Sequence, residues 1–186
     1  MLFLAWFVIP ANADFDAGMV AYVGRDYATA LREWTPLADH GDARAQFNLG
    51  VMYANGQGAP KNDKNDKEAL RWYRLAANQG HADAQATLGT LHVMGEVLPQ
   101  DYREALRWYR LATEQRHAGA QYNLGIMYAK GYGVLQDYVQ AYMWWSLAAI
   151  KGDEMASNAR NKLAEKMSRS QIAEAQRLAR EWKPKQ

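Results

Sequence analysis

The chain has 186 residues, 49% of them apolar, which is enough for one domain of ordinary size with a substantial core. Lys and Arg number 22 against 20 Asp and Glu, and the net charge of +2 gives no strong attraction to nucleic acid. The sequence has no Cys, which excludes disulfide bonds and thiolate chemistry.

The N-terminal stretch reads as a secretory leader. An apolar run, Leu2–Ile9, is followed by Pro10 and the letters ANA, although no Lys or Arg precedes it. A short apolar segment before a small-x-small site is typical of a cleaved signal peptide, and it is too short to span a bilayer. We expect residues 1–13 to be removed and the protein to be periplasmic or secreted. A buried first helix or an uncleaved anchor is the alternative, and no later segment is long and apolar enough for an integral membrane span.

The sequence repeats itself three times, over residues 43–81, 82–117 and 118–153. The string EALRWYRLA starts at Glu68 in the first copy and at Glu104 in the second, and it becomes QAYMWWSLA in the third. The first copy carries a three-residue insertion near the string KNDKND, which we place in a loop. A fixed period of this length predicts a stack of small structural units.

Each repeat is predicted to form two helices. In the first copy, Ala45, Leu49 and Tyr53 recur on one helical face. The first helices are predicted to end just before Gly56, Gly95 and Gly131. The second helices are predicted to start at Asp101 and Asp137 in the later copies, with Asn65 as the corresponding N-cap in the first.

The two ends of the chain depart from the pattern. Residues 14–42 form a degenerate copy, in which Phe15–Tyr22 is the expected first helix. Residues 154–186 are expected to form capping helices and a tail, with Ser168 and Gln171 as a capping box. A solvated face of the earlier repeats turns apolar in the third, so we expect the C-terminal helices to cover it, a partner-binding patch being the alternative. The residues of that face are Val139, Met143, Ser146 and Ile150.

The pattern A-x-A-Q-x-x-L-G-x-x-Y, the Gly-containing loop and the pattern D-Y-x-x-A-x-x-W-Y-x-x-A-A-x-x-G resemble the Sel-one-like repeat family, a relative of the tetratricopeptide repeat. The resemblance covers residues 26–152. It implies an all-α fold, a right-handed α/α solenoid of helix-turn-helix repeats with a C-terminal helical cap. It also implies a scaffold, adaptor or regulator that binds a protein or peptide rather than an enzyme.

In solenoids of this type the first helix of each repeat generally lines the concave side. Asn48 and Asn123 stand where related solenoids contact bound peptide, although each amide could instead bond neighbouring backbone. The Arg-rich outer face of the second helices is the other candidate surface, with a solvated, locally paired face as the simpler interpretation. The predicted groove residues are Arg44, Phe47, Asn48, Val51, Asn55, Asp83, Thr87, Thr90, Tyr122, Asn123, Ile126 and Lys130.

Catalytic chemistry finds little support in the sequence. His81 and His117 occupy turn positions typical of helix caps, His92 replaces a packing Tyr and is expected to be hydrogen-bonded, and no spacing indicates a metal or cofactor site. A cell-envelope enzyme or a peptidoglycan- or β-lactam-binding protein remains the alternative, because some Cys-rich members of the family are linked to that chemistry. We expect a monomer whose partner is a protein or peptide.

Overall fold

The computed structural model describes residues 13–58 and 63–184, so the predicted leader lies almost wholly outside it. The described residues form ten α-helices in paired packing, which confirms the predicted all-α repeat fold. None of these helices is both long enough and apolar enough to cross a membrane. The helices are α1 (Phe15–Val23), α2 (Tyr27–Asp39), α3 (Ala43–Asn55), α4 (Asp63–Asn78), α5 (Ala82–Met94), α6 (Tyr102–Glu114), α7 (Ala118–Lys130), α8 (Tyr138–Ile150), α9 (Glu154–Ala164) and α10 (Arg169–Glu181).

The chain divides into two compact bodies, and the division falls within α5. The N-terminal body, up to Ala84, has a core in which Trp34, Leu49 and Met52 are almost completely buried. The C-terminal body starts at Gln85 and has two apolar clusters. One cluster contains Tyr109, Leu124 and Met127, and the other contains Trp145, Leu163 and Ala175.

A glycine in each first helix lets the second helix approach closely. The glycine lies against an aromatic ring in four pairs: Gly18 with Trp34, Gly50 with Tyr73, Gly89 with Tyr109, and Gly125 with Trp145. A Cβ atom at Gly125 would stand 2.4 Å from Trp145 Nε1, a distance that real side chains do not tolerate. The Leu-Gly step of the repeat therefore sets the distance between the paired helices.

A hydrogen-bonded glutamine pair links the two helices of the first repeat and those of the second, and the third repeat lacks such a pair among the described residues. Gln79 Nε2 donates to Gln46 Oε1 at 2.7 Å, and Gln115 Nε2 donates to Gln85 Oε1 at 2.9 Å. The corresponding acceptor in the third repeat, Gln121 Oε1, is buried without a partner among the described residues. Lys151 stands where Gln79 and Gln115 stand, and its ammonium donates to the carbonyl of Arg116 instead.

The predicted helix ends are largely confirmed. Gly56, Gly95 and Gly131 follow α3, α5 and α7 with φ of 66°, 73° and 74°, the left-handed conformation that closes a helix. Asp101 caps α6 by accepting from the backbone N–H groups of Glu104 and Arg103, and the Glu104 hydrogen bond is the main reason why the pKa of Asp101 is lowered. Asp137 caps α8 by accepting from the backbone N–H of Gln140.

The prediction that Asn65 is an N-cap is wrong. The helix α4 already begins at Asp63 and has 16 residues, whereas α6 and α8 have 13 each. Asn65 therefore lies inside α4, where it is buried. The three extra residues of the first repeat lengthen α4, because adding one turn to an existing helix costs far less than nucleating a new one.

The predicted C-terminal cap is confirmed for most of its face. Met143 is only 4% exposed and Ser146 is buried, while Val139 packs against the cluster that contains residues of α9 and α10. Ser168 and Gln171 form the capping box that starts α10. Ile150 is the exception, because it lies at the last residue of α8 and remains 80% exposed.

Candidate binding site

The predicted groove residues all lie on first helices, namely α3, α5 and α7. Because the chain divides within α5, the residues up to Asp83 belong to the N-terminal body and those from Thr87 onward to the C-terminal body. The two sets are therefore described separately. Within each set, some side chains are engaged in internal contacts and others are open to a ligand.

On α3, the first two predicted residues are held by neighbours. Arg44 pairs with Asp42 at 3.0 Å and lies over the ring of Phe15 at 4.2 Å. Phe47 stacks on the imidazole of His81, with ring centroids 4.8 Å apart. These contacts give Arg44 and Phe47 structural roles that the sequence did not reveal.

The remaining N-terminal candidates are more accessible. Asn48 and Val51 are half-buried and Asn55 is exposed at the end of α3. Asp83 is exposed at the start of α5, with its carboxylate 4.0 Å from Nδ1 of His81.

On α5, the two threonines differ in what they contact. Thr90 Oγ1 donates to the carbonyl of Ala86 at 3.1 Å and lies 3.0 Å from the hydroxyl of Tyr109. Burial raises the pKa of Tyr109, so this phenol stays neutral and acts as a hydrogen-bonding group. Thr90 therefore joins α5 to α6, whereas Thr87 is half-buried on the same helix.

On α7, the predicted residues form a continuous face. Tyr122 and Ile126 are partly buried against the cluster around Trp145, whose indole N–H donates to the carbonyl of Tyr122 at 3.0 Å. Asn123 is half-buried and Lys130 is exposed. Spacings of three, four and seven residues bring Asn123, Ile126 and Lys130 to one side of the helix.

Two asparagine side chains on the first helices, those of Asn48 and Asn123, form no hydrogen bonds with described residues. Asn48 and Asn123 occupy the same position in the first and third repeats. Both side chains are half-buried, and within residues 13–58 and 63–184 neither forms a side-chain hydrogen bond. The expected alternative, in which each amide bonds neighbouring backbone, is therefore absent from the described part of the chain.

A cleft of about 570 Å³ opens at the C-terminal end of α7, and we call it the α7–α9 cleft. Its lining consists of Ala129, Lys130, Gln136, Tyr138, Trp145, Ala159, Lys162, Leu163, Glu165 and Lys166. Three lysines against one glutamate make its rim cationic, while Trp145 and Leu163 give it an apolar base. Sequence reasoning identified only Lys130, because Lys162 of α9 and Lys166 in the turn after it lie outside the repeats.

The histidines fill structural positions. The Nδ1 atom of His117 accepts from the backbone N–H of Ala120 at 2.9 Å, which confirms it as the N-cap of α7, and His81 does the same for Ala84 at 3.4 Å. The expectation of a hydrogen-bonded His92 is wrong at one nitrogen, since Nδ1 is buried without a partner in the described residues. In the part of the chain that the structure describes, no three His, Asp or Glu side chains are grouped as a metal site.

Comparison with known proteins identifies the repeats. The Sel1 repeat model matches residues 43–81, 82–117 and 118–153. The chain is 39% identical to a Sel1 repeat protein from Oxalobacter formigenes, with a TM-score of 0.66, over 72% of this chain and 98% of that one. It is 34% identical to a protective antigen of uropathogenic Escherichia coli strains that displays an SLR fold, with a TM-score of 0.76 over 82% of this chain.

This chain spans 32% of the length of the Escherichia coli antigen, so it corresponds to about a third of that protein. The search of curated proteins finds no match. The family model nevertheless covers more than half of the chain, and the Oxalobacter structure aligns over nearly its whole length. On these grounds the chain belongs to the Sel1 repeat family of bacterial SLR-fold proteins.

Proposed function

We propose that this protein is a non-catalytic adaptor that binds extended segments of a partner protein on the first helices of its repeats, with α3 and α7 as two separate surfaces. Membership of the Sel1 repeat family supports this function, because the SLR fold is typical of interaction scaffolds. The observation that carries the proposal is that the side-chain amides of Asn48 and Asn123 form no hydrogen bonds with described residues.

An asparagine amide suits the recognition of a peptide backbone because it offers both a donor and an acceptor. An extended peptide presents the complementary N–H and C=O groups along its whole length, whatever its side chains are. Half-buried amides are partly dehydrated already, so pairing them with a ligand costs less than ordering a fully exposed side chain. Asn48 and Asn123 thus supply backbone contacts, while Tyr122 and Ile126 provide apolar surface beside one of them.

The α7–α9 cleft adds a preference for charge. Lys130 lies at the end of the α7 face, and Lys162 and Lys166 line the same opening. An acidic side chain or a terminal carboxylate at one end of the bound segment would be attracted there. The proposed partner segment is therefore extended, binds through its backbone and carries negative charge where it meets the α7–α9 cleft.

Affinity capture tests this proposal. The purified protein, immobilised, is incubated with bacterial envelope extract, and recovered proteins are quantified by mass spectrometry. We expect the Asn48→Ala, Asn123→Ala double variant and the Tyr122→Ala variant to lose about tenfold of a recovered partner, since each removes a hydrogen bond or an apolar contact worth roughly 1 kcal/mol or more. Asn78→Ala is the matched control, because Asn78 is exposed at the end of a second helix.

Unchanged recovery by the double variant and by Tyr122→Ala would contradict binding along the first helices. A second assay addresses catalysis, since the family model matches repeats and no catalytic domain. Turnover of nitrocefin, or saturable sedimentation of the purified protein with peptidoglycan, would favour the enzyme or cell-wall-binding alternative instead.

We also propose that the protein acts in the bacterial periplasm or outside the cell. The support is the sequence of residues 1–13, whose apolar run and small-residue end are typical of a cleaved leader. N-terminal sequencing of the protein from fractionated cells is the test. We expect it in the envelope fraction with a new N-terminus near Asp14, whereas an intact leader in the cytoplasmic fraction would contradict export.

A further inference from the structure

A second cleft, of about 520 Å³, lies between the second helices α6 and α8 and the end of α10. We call it the Arg–Trp cleft. Along α6 it is lined by Arg103, Arg107 and Arg110, which the sequence assigned to a solvated outer face. Trp144 of α8 and Trp182 after α10 close its other side. None of these residues belongs to the first-helix face on which the proposed function rests.

The cleft has an excess of positive charge. Arg107 pairs with Glu104 at 3.0 Å and lies over the ring of Trp108, and Arg110 donates to the hydroxyl of Tyr128 at 3.0 Å. Arg103 is exposed and makes no ion pair with a described residue. Glu114 also lines the cleft, which leaves three guanidinium groups facing one carboxylate in its lining.

The opposite side of the cleft is apolar. Trp182 packs edge-on against Trp144 with ring centroids 5.6 Å apart, and Leu106 and Leu111 continue the apolar lining. Trp144 is only 8% exposed, whereas Trp182 is half-buried. Trp182 therefore supplies the more accessible aromatic surface of the cleft.

We propose that the Arg–Trp cleft is a second binding site, for an extended peptide segment in which acidic and apolar side chains alternate. Arg103 and Arg107 are four residues apart on a helix, a rise of about 6 Å. Alternate residues of an extended chain are roughly 7 Å apart and point to the same side. Two acidic side chains of such a segment can therefore meet neighbouring arginines while the intervening side chains meet the tryptophans.

The size of the cleft favours a peptide over a lipid. A volume of about 520 Å³ holds a few side chains, whereas a membrane lipid would need room for whole acyl chains. The lining comes from α6 on one side and from α8 and the residue after α10 on the other. Guanidinium groups bind carboxylates in a two-pronged geometry, which also suits acidic side chains.

Fluorescence anisotropy with a defined probe tests the proposal. The probe is a fluorescein-labelled peptide, Glu-Phe-Glu-Leu-Glu, titrated with the purified full chain at low ionic strength. We expect saturable binding that weakens about tenfold in an Arg107→Gln, Arg110→Gln double variant and to a similar extent in Trp182→Ala, because charge-assisted hydrogen bonds and an aromatic contact each contribute at this level. The Glu→Gln version of the peptide should bind at least about tenfold more weakly than the original.

The repeated nonamer provides a matched control. Arg71 and Arg74 of α4 occupy the same places in EALRWYRLA as Arg107 and Arg110, but they do not line the Arg–Trp cleft. An Arg71→Gln, Arg74→Gln variant should bind the probe as the unmodified chain does. Equal weakening by the two double variants would overturn the proposal, since the attraction would then be a general effect of positive charge.

Two further outcomes would also contradict it. One is the absence of saturable probe binding by the unmodified full chain when its circular dichroism shows intact helices. The other is binding to anionic phospholipid vesicles that the peptide cannot displace, which would assign the cleft to a lipid surface. Neither result would bear on the first-helix proposal, because the Asn123→Ala and Tyr122→Ala variants leave the Arg–Trp cleft unchanged and are expected to bind the probe normally.

Discussion

The second helices of the last two repeats, α6 and α8, have similar buried inner faces, but the outer face of α6 is charged and exposed whereas that of α8 is apolar and covered. On the inner side, Ala105 and Ala141 are completely buried in both, next to Tyr109 in one and Trp145 in the other. On the outer side, Arg107 of α6 is exposed, whereas Met143 at the equivalent position of α8 is covered by the C-terminal helices. The repeat is therefore ended by changing one face of one helix, while the packing within each helix pair is kept.

The largest effect should come from giving α8 the outer face of α6. Met143→Arg places a guanidinium in a buried apolar cluster, beside Leu178 and Trp182. We expect the free energy of unfolding to fall by about 3 kcal/mol, the usual cost of an unpaired charge in a buried site. Urea denaturation measures this change, and hydrogen exchange should show faster exchange in α10.

The reverse exchange, Arg107→Met, is the control because Arg107 is exposed on α6. Its effect should stay within about 0.5 kcal/mol, as for most surface substitutions. If the two substitutions destabilised the protein equally, the covered outer face of α8 would contribute no more to stability than the exposed outer face of α6, which would contradict the comparison.

The next largest effect concerns the inner faces, where the ring differs in size. Gly125→Ala would put a Cβ atom 2.4 Å from the Trp145 ring nitrogen, and Gly89→Ala would put one 2.7 Å from the Tyr109 ring. Alanine normally favours a helix by about 1 kcal/mol over glycine, but overpacking should reverse this and cost about 2 kcal/mol at Gly125. Thermal denaturation compares the two variants, and a gain in stability at Gly125 would show that the helices are not held at contact distance.

A smaller gain should follow from restoring the glutamine pair that the third repeat lacks. Lys151→Gln places an amide where Gln115 stands in the second repeat, within reach of the unpaired Gln121 Oε1. We expect stabilisation of about 1 kcal/mol, the typical net value of a hydrogen bond. The same substitution in a Gln121→Leu background should give no gain in urea denaturation, and an equal gain there would exclude the proposed pairing.

The smallest effect concerns how the third repeat begins. His117 caps α7 through Nδ1 of its ring, whereas Asp153 caps α9 with a carboxylate. A carboxylate is the stronger N-cap and also interacts favourably with the positive end of the helix dipole, so His117→Asp should raise the free energy of unfolding by up to about 1 kcal/mol. Urea denaturation measures the change, and an unchanged or lowered free energy of unfolding would contradict the advantage of a carboxylate cap at this position.

The sequence predicted those features that depend on nearby residues. Gly56, Gly95 and Gly131 ended helices as expected, because a left-handed residue after a helix favours glycine wherever it occurs. The covered face of α8 could be predicted because Arg107 and Met143 stand at the same repeat position. The exposure of Ile150 could not be predicted, since it depends on how far α10 extends along α8.

Contacts between residues that are distant in the chain could not be predicted from the sequence. The contact between Gly125 and Trp145 and the pairing of Gln85 with Gln115 require the distance between packed helices, which no local pattern gives. Among the predicted groove residues, Phe47 stacks on His81. This contact could not be predicted, because an open helical position and one that faces a neighbouring ring have the same sequence pattern.

The central functional claim, that partners bind along the first helices, is most directly tested by site-specific photo-crosslinking in living cells. A photoreactive amino acid replaces Asn123 on α7 in one strain and Ala173, an exposed residue of α10, in another. The account predicts a discrete cross-linked partner at position 123 that is absent at position 173. Cross-linking of the same proteins with equal yield at both positions, or none at position 123, would contradict it.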